Sequence, residues 1–182
     1  MSELTATTEG IYLIRYGTVP EVARFSHDSP DRPERGTAVV VETDRGLQLG
    51  VVLERLKPSF DPAKNAETEF RLIRTATDID VETSRSLTNE CEESFSAWCA
   101  RISQWGLSLE LVDLEWTLDR QKLILYVLCE RGPDSTKLAL QAAASGFGVI
   151  EVQPVSATGL VAIPQSSCGS GGGGCGSGGC GH

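Results

Sequence analysis

The chain has 182 residues, is 40% hydrophobic and carries a formal net charge of −9. That length holds one domain or two small ones, and the apolar fraction can fill a core without disulfides or metal. An acidic chain repels phosphate backbones, so broad nucleic-acid binding is not expected; the Arg71, Arg74 and Arg85 stretch is either a local basic patch or ordinary surface charge.

The opening MSELTATTEG has neither the basic region nor the apolar stretch of a signal peptide, and no apolar run reaches 18 residues. The expectation is a soluble, cytoplasmic protein without membrane insertion, whose thiols are kept reduced.

From Gly10 to Arg55 the pattern is short and strand-like. Ile11 to Tyr16 and Val22 to Phe25 are rich in β-formers, and a polar loop with Pro30, Pro33 and His27 follows over residues 26–35. Thr37 to Thr43 and Leu47 to Leu53 flank Asp44-Arg-Gly46 and predict a hairpin, with Gly50 marking a bulge or bend. Together these strands predict a small β-rich subdomain over residues 10–56, an antiparallel barrel-like unit or a strongly bent sheet.

Residues 57–68 hold Pro58 and Pro62 and read as a linker, after which an α+β domain is expected over residues 69–155. Phe70 to Thr77 reads as an extended bridge. A long helix then starts at Asp78 or Asp80. Along it Leu87, Cys91, Phe95, Trp98, Ile102 and Trp105 recur at spacings of three and four, which puts them on one face, and Gly106 stops it. Leu107 to Leu118 and Lys122 to Cys129 predict a second hairpin turning through Asp119, Arg120 and Gln121. Its nearly continuous apolar strands call for cover on both faces. A helix from Pro133 or Asp134 to Ser145 and a strand from Val149 to Val155 complete an α-β-β-α-β order on a mostly antiparallel sheet, the α+β class.

Residues 165–182 are Gly and Ser punctuated by Cys168, Cys175, Cys180 and His182. Such a segment has nothing apolar to bury and reads as a flexible, disordered tail. Its three thiols and one imidazole are a donor set suited to zinc or to an iron–sulfur cluster. The alternative is a solubilising tail that chelates metal only adventitiously. Cys91, Cys99 and Cys129 read as small core hydrophobes. No nucleophile elbow, phosphate loop or metalloprotease motif stands in a suitable context. Asp113, Glu115 and Asp119 are the acids from which an active site could be built, against their simpler role as strand-end and turn residues. Binding is the better expectation, and the chain is read as a non-enzyme.

Three runs carry a resemblance: Thr37-Ala-Val-Val-Val-Glu-Thr-Asp-Arg-Gly-Leu-Gln-Leu-Gly-Val-Val52, Arg71-Leu-Ile-Arg-Thr-Ala-Thr77, and Leu111-Val-Asp-Leu-Glu-Trp-Thr-Leu-Asp-Arg-Gln-Lys-Leu-Ile-Leu-Tyr126. In this order they resemble the polymerase-suppressor C-terminal domain family, which includes bacterial YaaT/RicT-like proteins. The resemblance covers residues 10–155. It implies a non-enzymatic cytosolic regulatory or adaptor protein. Relatives act in a multi-protein complex that assists RNA maturation by an endoribonuclease and is associated with iron–sulfur clusters. The cysteine-containing GPCGR-type segment of such members is absent here, so their cluster ligands do not carry over. Partner contacts are expected at the Arg71 to Thr77 entry and the second hairpin, through Arg71, Arg74, Asp119, Arg120 and Lys122. A metal-binding or iron–sulfur redox protein working through the tail is the competing reading.

Overall fold

The computed structural model describes residues 10–57, 70–128, 134–156 and 159–160. The expected linker after residue 57, Cys129 and the whole Cys/His tail lie outside the described residues.

Strands β1 (Gly10–Tyr16), β2 (Glu21–His27), β3 (Ala38–Thr43), β4 (Gly46–Leu56) and β5 (Phe70–Thr75) close into a barrel of order β1-β2-β5-β3-β4. Alternation along the strands sends Tyr12, Ile14, Tyr16, Phe25, Val39, Val41, Val52 and Leu72 inward, where they form the barrel core. Phe25 and Tyr16 meet edge-to-face at 5.4 Å, a favoured aromatic geometry.

Two expectations for this half change. Phe70–Thr75 is not a bridge into the second domain. It pairs antiparallel with β3 and parallel with β2, and so closes the barrel. A strand separated in sequence from its neighbours shows no local signal for this pairing, and the β2–β5 contact makes the barrel mixed rather than purely antiparallel. His27 also leaves the predicted loop: it ends β2, buried, with its ring Nδ1 3.0 Å from the Leu72 carbonyl oxygen.

Gly50 does not itself form a bulge. The register of β1 on β4 shifts where Leu53 is passed over, between Leu13 and Ile14. Gly50 is there for space: a Cβ would lie 2.7 Å from Ile14 Cγ2 and 3.2 Å from the Arg15 carbonyl oxygen. A second shift, at Ile73 in β5, leaves that side chain exposed. Bulges bend strands, which a five-stranded closure needs.

Helix α1 (Asp78–Gln104) begins at Thr77, whose hydroxyl accepts from the Asp80 N–H while Asp80 returns a bond to the Thr77 N–H. This reciprocal capping box satisfies two orphan donors. Its end is a left-handed Gly106 (φ 65°), with the Leu107 N–H bonded to the Ile102 carbonyl and the Gly106 N–H to Ser103. Strands β6 (Glu110–Trp116), β7 (Lys122–Leu128), β8 (Val149–Ser156) and the short β9 (Gly159–Leu160) form the second sheet in that order, with α2 (Asp134–Ala144) crossing from β7 to β8. The expected mostly antiparallel sheet is therefore mixed, because β7 and β8 run parallel over seven residue pairs. Such a pair needs a crossover, which α2 supplies.

Strand β7 is the centre. Leu123, Leu125 and Val127 face α1 and α2 in one core with Trp98, Ile102, Leu111 and Leu138. Ile124 and Tyr126 face the other way and are fully buried with Val155, packed against Val19 from the β1–β2 turn of the barrel. The apolar strand is thus covered on both faces, and its second cover is the barrel.

Gly50→Ala is expected to cost about 1–3 kcal/mol through overpacking against Ile14. Urea melts of the two proteins check this, and an unchanged midpoint would show that the strand can shift.

Candidate functional site

The barrel meets the second sheet at the tips of two hairpins. Asp44 and Arg45 make the β3–β4 turn, and Gly46 follows at φ 124°. A Cβ on Gly46 would stand 3.0 Å from Thr117 Cγ2, so the approach of the two hairpins depends on glycine there. The Leu118 N–H donates to the Leu47 carbonyl at 2.7 Å and stitches the backbones together.

The Arg45 side chain fills this seam and is only 4% exposed. It donates to the Tyr126 hydroxyl at 3.0 Å and to the Glu21 carboxylate, and lies 5.3 Å above the Tyr16 ring. Tyr126 in turn donates to Glu115 Oε2 at 2.5 Å. Glu115 also accepts from the Thr18 N–H at 3.0 Å and from Gln48 Nε2 at 2.8 Å. Thr43 Oγ1 donates to Gln48 Oε1 at 2.9 Å. Residues from β2, β3, β4 and the two barrel turns thus join β6 and β7 in one polar network. Burial would lower the Arg45 pKa, but Tyr126, Glu21 and Tyr16 outweigh it and hold the guanidinium charged. Burial first, then Glu115, pushes the Tyr126 phenol far up, so it stays a donor.

Beside the network lies a cleft of about 170 Å³ between the barrel, α1 and β6, lined among others by Gln48, Ser84, Leu87, Cys91 and Glu115. The Cys91 thiol is pushed up to about 11, chiefly by burial, which suits an inert core cysteine. Cys99, by contrast with its expected core role, is exposed on α1.

The acids weighed for catalysis are held in structural bonds. Glu115 is saturated by the network, Asp113 accepts from the Leu114 N–H, and Asp119 accepts from Thr117 Oγ1 and the Gln121 N–H in the turn. Among the described residues no group of three or more His, Cys, Asp or Glu side chains could hold a metal. Among the described residues no helix is long and apolar enough to cross a membrane.

The expected partner residues are not brought together into one site. Arg74 forms a two-pronged pair with Asp80 at 2.5 and 3.0 Å, bracing the start of α1. Lys122 pairs with Glu151 across β7 and β8 at 2.7 Å. Arg120, at φ 56°, reaches Glu90 on α1 at 2.8 Å and lies over the Trp116 ring. Arg71 lies 3.6 Å from Asp28 with 63% of its side chain exposed. Sequence reading missed the seam. Its signals were a second Asp-Arg pair at a hairpin tip, Asp44-Arg45, and a Tyr at the centre of an apolar strand.

The class this defines is a two-part α+β protein in which a closed barrel docks its hairpin onto a helix-backed mixed sheet. Residues 70–143, from β5 to α2, match the family model described as the PSP1 C-terminal conserved region. The chain is 30% identical over 105 residues to the stage 0 sporulation protein YaaT of Bacillus subtilis (strain 168), an alignment covering 58% of this chain and 38% of that protein. Over residues 70–143 the chain is thus similar to the PSP1 C-terminal conserved region, which takes in two of the three sequence runs, residues 71–77 and 111–126. It spans well under half the length of that curated relative. No solved structure matches it.

Two outcomes test this geometry. Arg45→Met is expected to cost about 3 kcal/mol, the low end for breaking a buried pair, since Glu21 is a third exposed and can regain water. Tyr126→Phe should cost about 1–2 kcal/mol. The double variant should cost less than the sum, and strict additivity in a thermal or urea cycle would disprove the coupling. At the α1 start, hydrogen bonds from Arg74 and then Thr77 hold the Asp80 carboxyl well below the usual carboxylate range. A depressed folded-state value means the stabilisation is full at neutral pH and fades as pH falls below about 4. Asp80→Asn should therefore lower stability by about 1 kcal/mol at neutral pH, with the gap to the parent closing in acid. Melts across that range check it.

Proposed function

We propose that this protein is a non-enzymatic regulatory adaptor of the cytoplasm that assembles with other proteins, in a complex serving RNA maturation by an endoribonuclease. The match of β5 through α2 to the PSP1 conserved region supports this reading, together with the kinship to a protein named for the onset of sporulation. Direct contact with nucleic acid is not part of it. Arg74, Asp119 and Lys122 are held in internal bonds; Arg71 and Arg120 also pair, with Asp28 and Glu90, but each keeps more than half its side chain exposed, and the contacts fall to them.

Affinity purification of the full chain from its native cells tests this. Partner proteins should co-purify, and Arg71→Gln with Arg120→Gln should release them while stability falls by no more than about 1 kcal/mol for each exposed ion pair lost. A chain that is monomeric in lysate and brings down nothing would refute the adaptor reading.

The Cys168, Cys175, Cys180 and His182 donors favour a second function, the binding of zinc or an iron–sulfur cluster. Purified without oxygen, the chain should then hold metal in near-stoichiometric amount and lose it when the three cysteines become Ser. Sulfide alongside iron would mark a cluster. A variant that keeps its metal would end this reading.

A further inference from the structure

On the outer wall of the barrel, next to the seam, a groove of about 200 Å³ runs between Arg15, Gly17, Pro20, Leu49 and Val51. Arg15 is exposed on β1, and among the described residues its guanidinium has no hydrogen-bond or ion-pair partner. Its cross-strand neighbours are Val22 on β2, 53% exposed, and Val51 on β4. An unpaired guanidinium thus stands between two valines over a groove with a largely aliphatic floor.

From this placement we infer that the groove is a docking point for an acidic, aliphatic segment of another protein, with a Leu- or Ile-sized side chain in the groove and a neighbouring carboxylate on Arg15. Three observations select that occupant. First, charge is segregated: residues 10–57 and 70–75 hold nine Lys and Arg against seven Asp and Glu, whereas 76–128 with 134–160 hold five against twelve. An acidic segment is therefore drawn to the barrel and repelled by the other half, at distances where salt leaves local charge in control. Second, β1 and β4, which carry the groove, are each paired on both sides, so no edge is free there for an added strand and recognition must use side chains. Third, the barrel's Tyr12, Tyr16 and Phe25 are buried inside it. That argues against single-stranded nucleic acid, which needs aromatic faces to stack on.

This site is separate from the Arg71 and Arg120 contacts of the adaptor reading and stands or falls without them. The test is amide shift mapping by NMR on the full chain. The probes are a short synthetic peptide of Glu and Leu, equal-length Lys/Leu and Glu/Ser peptides, and an oligouridylate. The Glu/Leu peptide alone should move the amides of Arg15, Val22, Leu49 and Val51. Arg15→Glu should weaken it about tenfold or more, and Val22→Ser should weaken it independently. Both positions are exposed, and unchanged spectra elsewhere confirm the fold. Binding indifferent to both variants, equal binding of the Glu/Ser or Lys/Leu peptide, no shift at these amides, or oligouridylate moving them instead would each overturn the proposal.

Discussion

Everything at the junction of the two halves follows from one buried charge. Arg45 cannot shed its proton, and a guanidinium removed from water must have its donors met. Glu21 and Tyr126 meet two of them, and the Tyr16 ring lies against the plane. Tyr126 can accept from Arg45 only while its own proton goes elsewhere, which requires Glu115, and Glu115 requires Gln48 and the Thr18 N–H. A network of this kind tolerates little: a fully satisfied set makes the docking specific, and a partly satisfied one is worse than an apolar contact. The barrel and the sheet are therefore held in one relation rather than merely tethered.

That constraint also decides which surface is left for other molecules. Side chains that look like a basic recognition patch in the sequence are partly consumed by the architecture. Arg74 braces the capped start of α1, and Lys122 clamps β7 to β8. Of the residues weighed for contacts, Arg71, Arg120 and Arg15 remain outward.

The two hairpins, the long helix with its apolar face and its Gly106 stop, and the double cover of β7 were all legible. They rest on periodicities of two and 3.6 and on local turn chemistry, which neighbouring residues decide. The expected face of α1 holds: Leu87, Cys91, Trp98 and Ile102 are buried, with Phe95 and Trp105 packed beside them. The seam was not legible, because Arg45 reads as an ordinary turn residue until the distant Tyr126 and Glu21 are placed around it. For the same reason Glu115 reads as an acid available for chemistry, when three donors already occupy it.

By itself the sequence determined the local elements, the α+β class, the kinship carried by its three runs and the thiol-rich composition of the C-terminal residues. These are written in short windows, where each residue constrains only its neighbours. Only the tertiary structure decided that Phe70–Thr75 completes the barrel, that β8 runs parallel to β7, that His27 is buried rather than in a loop, and that Arg45 rather than Arg74 is the pivotal arginine. Each of those depends on pairing between residues far apart in the chain. The free energy of such contacts comes from burial and closure of the whole fold, which no local pattern records.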